Sequence, residues 1–139
     1  MSAAQPTPSA ADMTADEMKA FVRSHFEEFI NRKNLAIADV NFANNFIDHG
    51  TDVPPGAPPG PEGAKQYVGS TLRKYPDMRV TIEDIMAEGD KVVVRNTWRF
   101  TRPDNGARFS FGGIVIWRIA QRKLAERWAY LETPKSAQA

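Results

Sequence analysis

The period of the apolar positions changes once along the chain, from helical to strand-like, and this change predicts the architecture. From Thr14 to Arg32 the apolar set Met18, Phe21, Val22, Phe26, Phe29 and Ile30 recurs every three or four residues, the spacing of one face of an amphipathic helix. Thr14-Ala-Asp-Glu17 is a capping box at its start, and Asp16 and Glu17 suit the positive end of the helix dipole. A second, shorter helical stretch is predicted over Asn34 to Phe46, with Leu35, Ile37, Val40, Phe42 and Phe46 as its apolar set. The run from Val53 to Pro61, rich in proline and glycine, forbids helix and sheet alike, and reads as a stiff loop over a cavity mouth. A third helix follows over Glu62 to Lys74, with Pro61 placed for its first turn and Pro76 ending it.

From Arg79 the alternation is period two. Arg79 to Ala87 and Lys91 to Arg102 are predicted strands joined by Gly89-Asp90, a two-residue hairpin turn. In the second of these, Val92, Val94, Asn96, Trp98 and Phe100 share one face, and Val93, Arg95, Thr97 and Arg99 the other. After the turn signal Pro103-Asp-Asn-Gly106, the stretch Arg108 to Glu132 reads as two long strands around a turn at Ala120–Lys123. Phe109, Phe111, Gly113, Val115, Trp117 and Ile119 fall on one face of the first; Ala125, Arg127, Ala129 and Leu131 share a face of the second, with Leu124, Glu126, Trp128 and Tyr130 opposite. Both faces of this hairpin are largely apolar, so it requires cover on both sides: helices on one, more sheet or a partner subunit on the other. The expected fold class is α+β, a cone-shaped roll with three N-terminal helices packed on a curved antiparallel sheet of about four long strands. Residues 1–13 are expected to form a disordered lead-in, 14–133 a single domain and 134–139 a frayed tail.

Length and charge narrow the function. A chain of 139 residues is one domain. With 18 Lys and Arg against 17 Asp and Glu, the net charge of +1 gives no reason to expect nucleic acid or an anionic membrane as partner. The absence of cysteine excludes disulfides and thiol nucleophiles, and two histidines, His25 and His49, make a multi-histidine metal site an unfavoured reading. No apolar run approaches the ~20 residues that span a bilayer, and the N-terminus lacks a secretory pattern. A cytoplasmic location is the expectation.

Several motifs in order carry a resemblance. Asn45-Phe-Ile-Asp-His-Gly50, the Pro-Gly run with Gly60-Pro-Glu-Gly63, Tyr75-Pro-Asp-Met-Arg-Val-Thr-Ile-Glu-Asp84, Glu88-Gly-Asp-Lys-Val-Val93, Phe111-Gly-Gly-Ile114, Trp117-Arg-Ile119 and Glu126-Arg-Trp128 together resemble the SnoaL-like polyketide (ester) cyclase family, within the nuclear transport factor 2-like fold. The resemblance covers roughly Thr14 to Glu132 and implies a curved sheet and helices around one deep apolar pocket, a homodimer through the outer face of the sheet, and aldol-type ring closure with neither metal nor organic cofactor. In that family a carboxylate moves the proton, with a supporting histidine; the corresponding positions here are Ala129 and Val115.

The chemistry therefore falls to other residues. Asp48 and His49 are the catalytic candidates, since imidazole titrates near neutral pH and a neighbouring carboxylate raises its basicity. Arg95, Phe111, Val115, Trp117, Arg127 and Ala129 are the substrate-binding candidates: the arginines as partners for an enolate or carboxylate, the aromatics as a wall for a flat ligand. Trp128 is placed on the outer face and His25 in the buried stripe of the first helix. Two readings stand: a cofactor-free enzyme acting on a small apolar carbonyl-type substrate, or a non-catalytic small-molecule-binding or dimerisation module of the same fold.

Overall fold

The computed structural model describes residues 11–137, so most of the expected lead-in, residues 1–10, lies outside it. Helix α1 (Ala15–Phe26) opens on the expected capping box, with Thr14 and Glu17 exchanging side-chain and backbone hydrogen bonds. It runs on as a π-helical turn, Glu27–Asn31. The side chain of Asn31 explains why the helix ends there: its amide donates to the Val80 carbonyl at 3.0 Å and accepts from the Val80 amide at 2.8 Å, tying the helix end to the sheet. A short 3₁₀ turn (Leu35–Ile37) and α2 (Ala38–Asn41) lead into strand β1 (Phe42–Asp48). Helix α3 (Gly60–Lys74) is followed by β2 (Arg79–Glu88), β3 (Lys91–Thr101), β4 (Arg108–Ala120), β5 (Lys123–Leu131) and the two-residue β6 (Lys135–Ser136).

The sheet is mixed and open, in the order β1-β5-β4-β3-β2, with β6 pairing the start of β4 beyond the end of β5. The α+β class and curved sheet agree with expectation, and several features correct the detail. The second half of the expected second helix is β1, which runs parallel to β5. Phe42 and Phe46 are both buried, and a spacing of four satisfies a helix and a strand alike, so periodicity alone does not separate them. Of the expected frayed tail, Lys135–Ser136 add a sixth strand to β4, and residues 138–139 lie outside the described residues. At the other end, Ala11 is fully buried and its carbonyl accepts from the Arg122 amide, so residues 11–13 pack against the domain rather than lead into it.

The core lies between the inner sheet face and α1 with its π turn. Val92, Val94, Phe100, Val115, Trp117 and Ile119 point inward from β3 and β4, as alternation requires. On β5 the alternation slips once. The pairing passes from Arg118↔Glu126 to Ile119↔Leu124, so Ala125 is the extra residue of a bulge. Leu124 thereby joins the core, fully buried, while Arg127 and Ala129 keep the inward face beyond it. This corrects the expectation that Leu124 lies with Glu126 and Trp128.

Candidate active site

The inner face of the sheet, α1 and α3 enclose a cavity of about 100 Å³. Phe26, Phe29, Phe42, Trp98, Phe111 and Trp117 supply aromatic walls. Trp98 stacks on Phe111 with the planes 4° apart. The polar side is compact. It consists of Asp48 at the end of β1, Asp52 in the following loop, Tyr67 and Thr71 on α3 and Arg127 on β5, with His25 of α1 also on the wall.

Arg127 organises this group. Its Nη1 donates to Asp48 Oδ1 at 2.9 Å and Oδ2 at 3.1 Å, and to Asp52 Oδ1 at 3.2 Å; its Nη2 donates to Asp52 Oδ2 at 3.0 Å. The Tyr67 hydroxyl donates to Asp52 Oδ2 at 2.7 Å, and the Gly50 amide to Asp48 Oδ1 at 2.9 Å. The loop closes this tightly only because residue 50 is glycine: a Cβ there would overlap Asp52 Oδ1 and Arg127 Nη1. The arginine side chain is only 11% exposed and each carboxylate 18%, so the charges interact in a poorly solvated setting.

The electrostatics follow. Burial would raise the Asp52 pKa, but the Arg127 charge and the hydrogen bonds from Arg127 and Tyr67 outweigh it and hold the carboxyl below its usual range. Burial opposes the charge on Arg127 as well, and the two aspartates more than restore it. Burial and the neighbouring Asp52 charge push the Tyr67 phenol above its ordinary value, so it stays protonated. His25 is pushed down to about 3 by burial, with Arg127 adding to the effect. Asn41 Nδ2 lies 3.0 Å from His25 Nδ1. An amide N–H donating to Nδ1 leaves the proton of the neutral ring on Nε2.

Of the residues singled out in the sequence, Asp48, Phe111, Trp117 and Arg127 line this cavity. His49 does not, which corrects the expectation that it joins Asp48 in the cone. Neighbouring residues on a strand point to opposite faces, and with Asp48 inward, His49 stands on the outer face. There it stacks on Trp128 with ring centres 5.1 Å apart and lies 2.7 Å from Glu126 Oε2, which also accepts from Arg118 Nε. Arg95 is likewise outside, paired with Asp84 at 2.7 Å. Val115 and Ala129 face inward but pair with one another inside the packed core, away from the cavity wall. The sequence reading missed Asp52 and Tyr67. Asp52 sits in a loop without periodicity, and Tyr67 reads as one of the apolar positions of α3; the one available signal is a second aspartate four residues after Asp48, in a loop stiffened by proline.

Among the described residues, no group of three or more His, Cys, Asp or Glu side chains is placed to hold a metal ion. No helix is long and apolar enough to cross a membrane.

Comparison with known proteins adds the lineage. No curated protein sequence matches the chain. Among solved structures it is similar to TsrD from Streptomyces laurentii (25% identity, TM-score 0.71, covering 82% of this chain and 90% of that one). It is also similar to IdmH from Streptomyces antibioticus (24%, TM-score 0.71, 81% and 90%). A SnoaL-like polyketide cyclase from Agrobacterium tumefaciens shares the fold at 18% identity (TM-score 0.72, 87% and 94%). The profile of the SnoaL-like polyketide cyclases matches residues 20–138. A match over most of the chain, on an open curved sheet that holds an aromatic cavity, makes this protein a member of the SnoaL-like polyketide cyclase family.

Proposed function

We propose that this protein is a cofactor-free acid/base enzyme acting on a small apolar carbonyl compound, with its polar chemistry at Arg127, Asp48, Asp52 and Tyr67. The observation that carries this reading is a single arginine held between two carboxylates at the edge of an otherwise largely apolar cavity. A substrate carbonyl oxygen accepts from the guanidinium. That contact draws Arg127 off Asp52, whose carboxylate gains basicity and takes a proton from the carbon beside the carbonyl. The resulting enolate oxygen keeps its hydrogen bond to Arg127. In ring closure the enolate carbon bonds to a second carbonyl carbon of the same molecule, and the new alkoxide takes the proton back from Asp52. Atoms and charge balance without a further reactant.

The test uses acetophenone in D₂O, with exchange of its methyl protons followed by proton NMR. The wild-type protein accelerates exchange over buffer, and Asp52→Asn lowers the enzymatic rate about 10²–10⁴-fold, while the amide still accepts from Tyr67 and Arg127. Acetophenone that binds without faster exchange favours the non-catalytic reading. An unchanged rate in Asp52→Asn removes the role of that carboxylate.

A homodimer through the outer sheet face belongs to the same proposal. Ile114 and Tyr130 are cross-strand neighbours there and are 43% and 65% exposed, an apolar pair that a second copy would cover. Sedimentation velocity is expected to show a dimer for the wild type and a monomer for Ile114→Arg/Tyr130→Arg. A wild-type monomer at micromolar concentration contradicts this assignment.

A further inference from the structure

A second cavity, of about 180 Å³, lies under the proline-rich strap and shares Asp48, Ala64 and Tyr67 with the first. The two spaces therefore stand back to back, divided by the side chains that carry the proposed chemistry. Apart from Asp48 and Tyr67, the second space is bounded by apolar or glycine residues, among them Phe46, Val53, Ala57 and Pro58. Its roof is a built element. Prolines 54, 55, 58 and 59 restrict the strap, the Val53 and Ala57 amides donate to the Gly50 and Pro54 carbonyls, and the Pro58 carbonyl sits so close to α3 that a Cβ at residue 63 would overlap it.

We infer that the substrate is two-armed: a ring fills the aromatic cavity, the reacting carbonyl sits at the Arg127 junction, and an uncharged apolar arm extends under the strap into the second cavity. The inference rests on the acid/base reading for the position of the carbonyl. Two observations fix the class of the arm. The first cavity alone, about 100 Å³, is of the order of one ring. The shared wall carries one carboxylate, Asp48, which repels an anionic arm. Among the described residues, no Lys or Arg side chain lines the second cavity to offset this.

Calorimetric titration with acetophenone and with hexanophenone, which carries a longer alkyl arm on the same aryl ketone, tests this. Burying one methylene is worth about 0.8 kcal/mol, or about fourfold in affinity, so hexanophenone is expected to bind the wild-type protein about tenfold or more tighter than acetophenone. Val53→Phe and Ala57→Leu narrow the second cavity without touching the Arg127 group. Each is expected to weaken hexanophenone about tenfold and to leave acetophenone within about twofold. Equal affinity for the two ketones in the wild type, an affinity ratio that survives both substitutions, or no binding of either ketone overturns the inference. Exchange in the wild-type protein separates it from the catalytic reading: a preference for the longer ketone while the wild type catalyses exchange of neither ketone leaves the two-armed site standing and removes the enzyme.

Discussion

Arg127→Met is expected to destabilise the protein by about 3–5 kcal/mol at pH 7 and to change how it responds to acid. The arginine lies between Asp48 and Asp52 in a setting where its side chain is 11% exposed. Methionine fills most of the volume but leaves two carboxylates facing each other with little water. In the wild type the Asp52 pKa is depressed: burial raises it, and the charge and hydrogen bonds of Arg127, with that of Tyr67, lower it further. A depressed carboxylate contributes stability above its unfolded pKa, and that contribution is lost as pH falls through the folded value. Without the guanidinium, burial and the neighbouring Asp48 charge both favour the protonated acid, opposed by the hydrogen bond from Tyr67. The sign then reverses: the penalty is present at neutral pH and relieved as pH falls toward the carboxylate range. Urea denaturation at pH 7 and pH 5 measures this as a deficit that shrinks on acidification. A variant as stable as the wild type at pH 7, or one with the same deficit at both pH values, contradicts the arrangement. Arg127→Lys is expected to fall between the two, because an ammonium keeps the charge but loses the fork that engages both carboxylates.

The parts of this fold written in strict alternation were legible in the sequence. Val92, Val94 and Phe100 on β3 and Trp117 on β4 face the core as their spacing requires. Two kinds of information were not. A bulge is invisible to a period-two reading, so Leu124 changed faces at Ala125. A parallel pairing between distant segments leaves no local trace: Phe42 and Phe46 suit a helix until β5 supplies a neighbour for β1. The same two limits shaped the candidate site. Asp48 and Arg127 were identified singly, but their pairing is the pairing of β1 with β5. Placing Asp48 inward puts His49 outward, and alternation would have shown this had the segment been read as a strand. Asp52 and Tyr67 come together through the loop that Gly50 permits and the first turns of α3, a three-dimensional closure that no period encodes.

His25 carries the second large effect, because a buried neutral histidine makes the fold sensitive to mild acid. The ring is 2% exposed and caged by Phe29, Phe42 and Trp117, with centroid separations of 5.1, 5.1 and 5.5 Å. Burial, with Arg127 adding to it, pushes its pKa from 6.5 down to about 3. The unfolded chain therefore takes up a proton near pH 6.5 that the folded protein refuses. The contribution is fully present above pH 6.5 and is lost as pH falls toward 3, with a slope approaching about 1.4 kcal/mol per pH unit. By pH 5 that amounts to about 2 kcal/mol. The ordinary carboxylate range lies lower, near pH 4, and Asp52, Asp77 and Glu126 are depressed further, so the window from 6.5 to 5 is free of their protonation. His25→Phe keeps the aromatic packing and removes the titration. It also strands the Asn41 amide, which costs about 1–3 kcal/mol at every pH. The expected result is a variant less stable than the wild type at pH 7 whose stability changes little between pH 6.5 and 5, so that the two curves converge on acidification. Urea midpoints measured across that window decide it. A slope as steep in His25→Phe as in the wild type would place the acid sensitivity elsewhere, whereas the flattened slope identifies the imidazole in the cavity wall as neutral throughout the range in which Asp52 holds its charge.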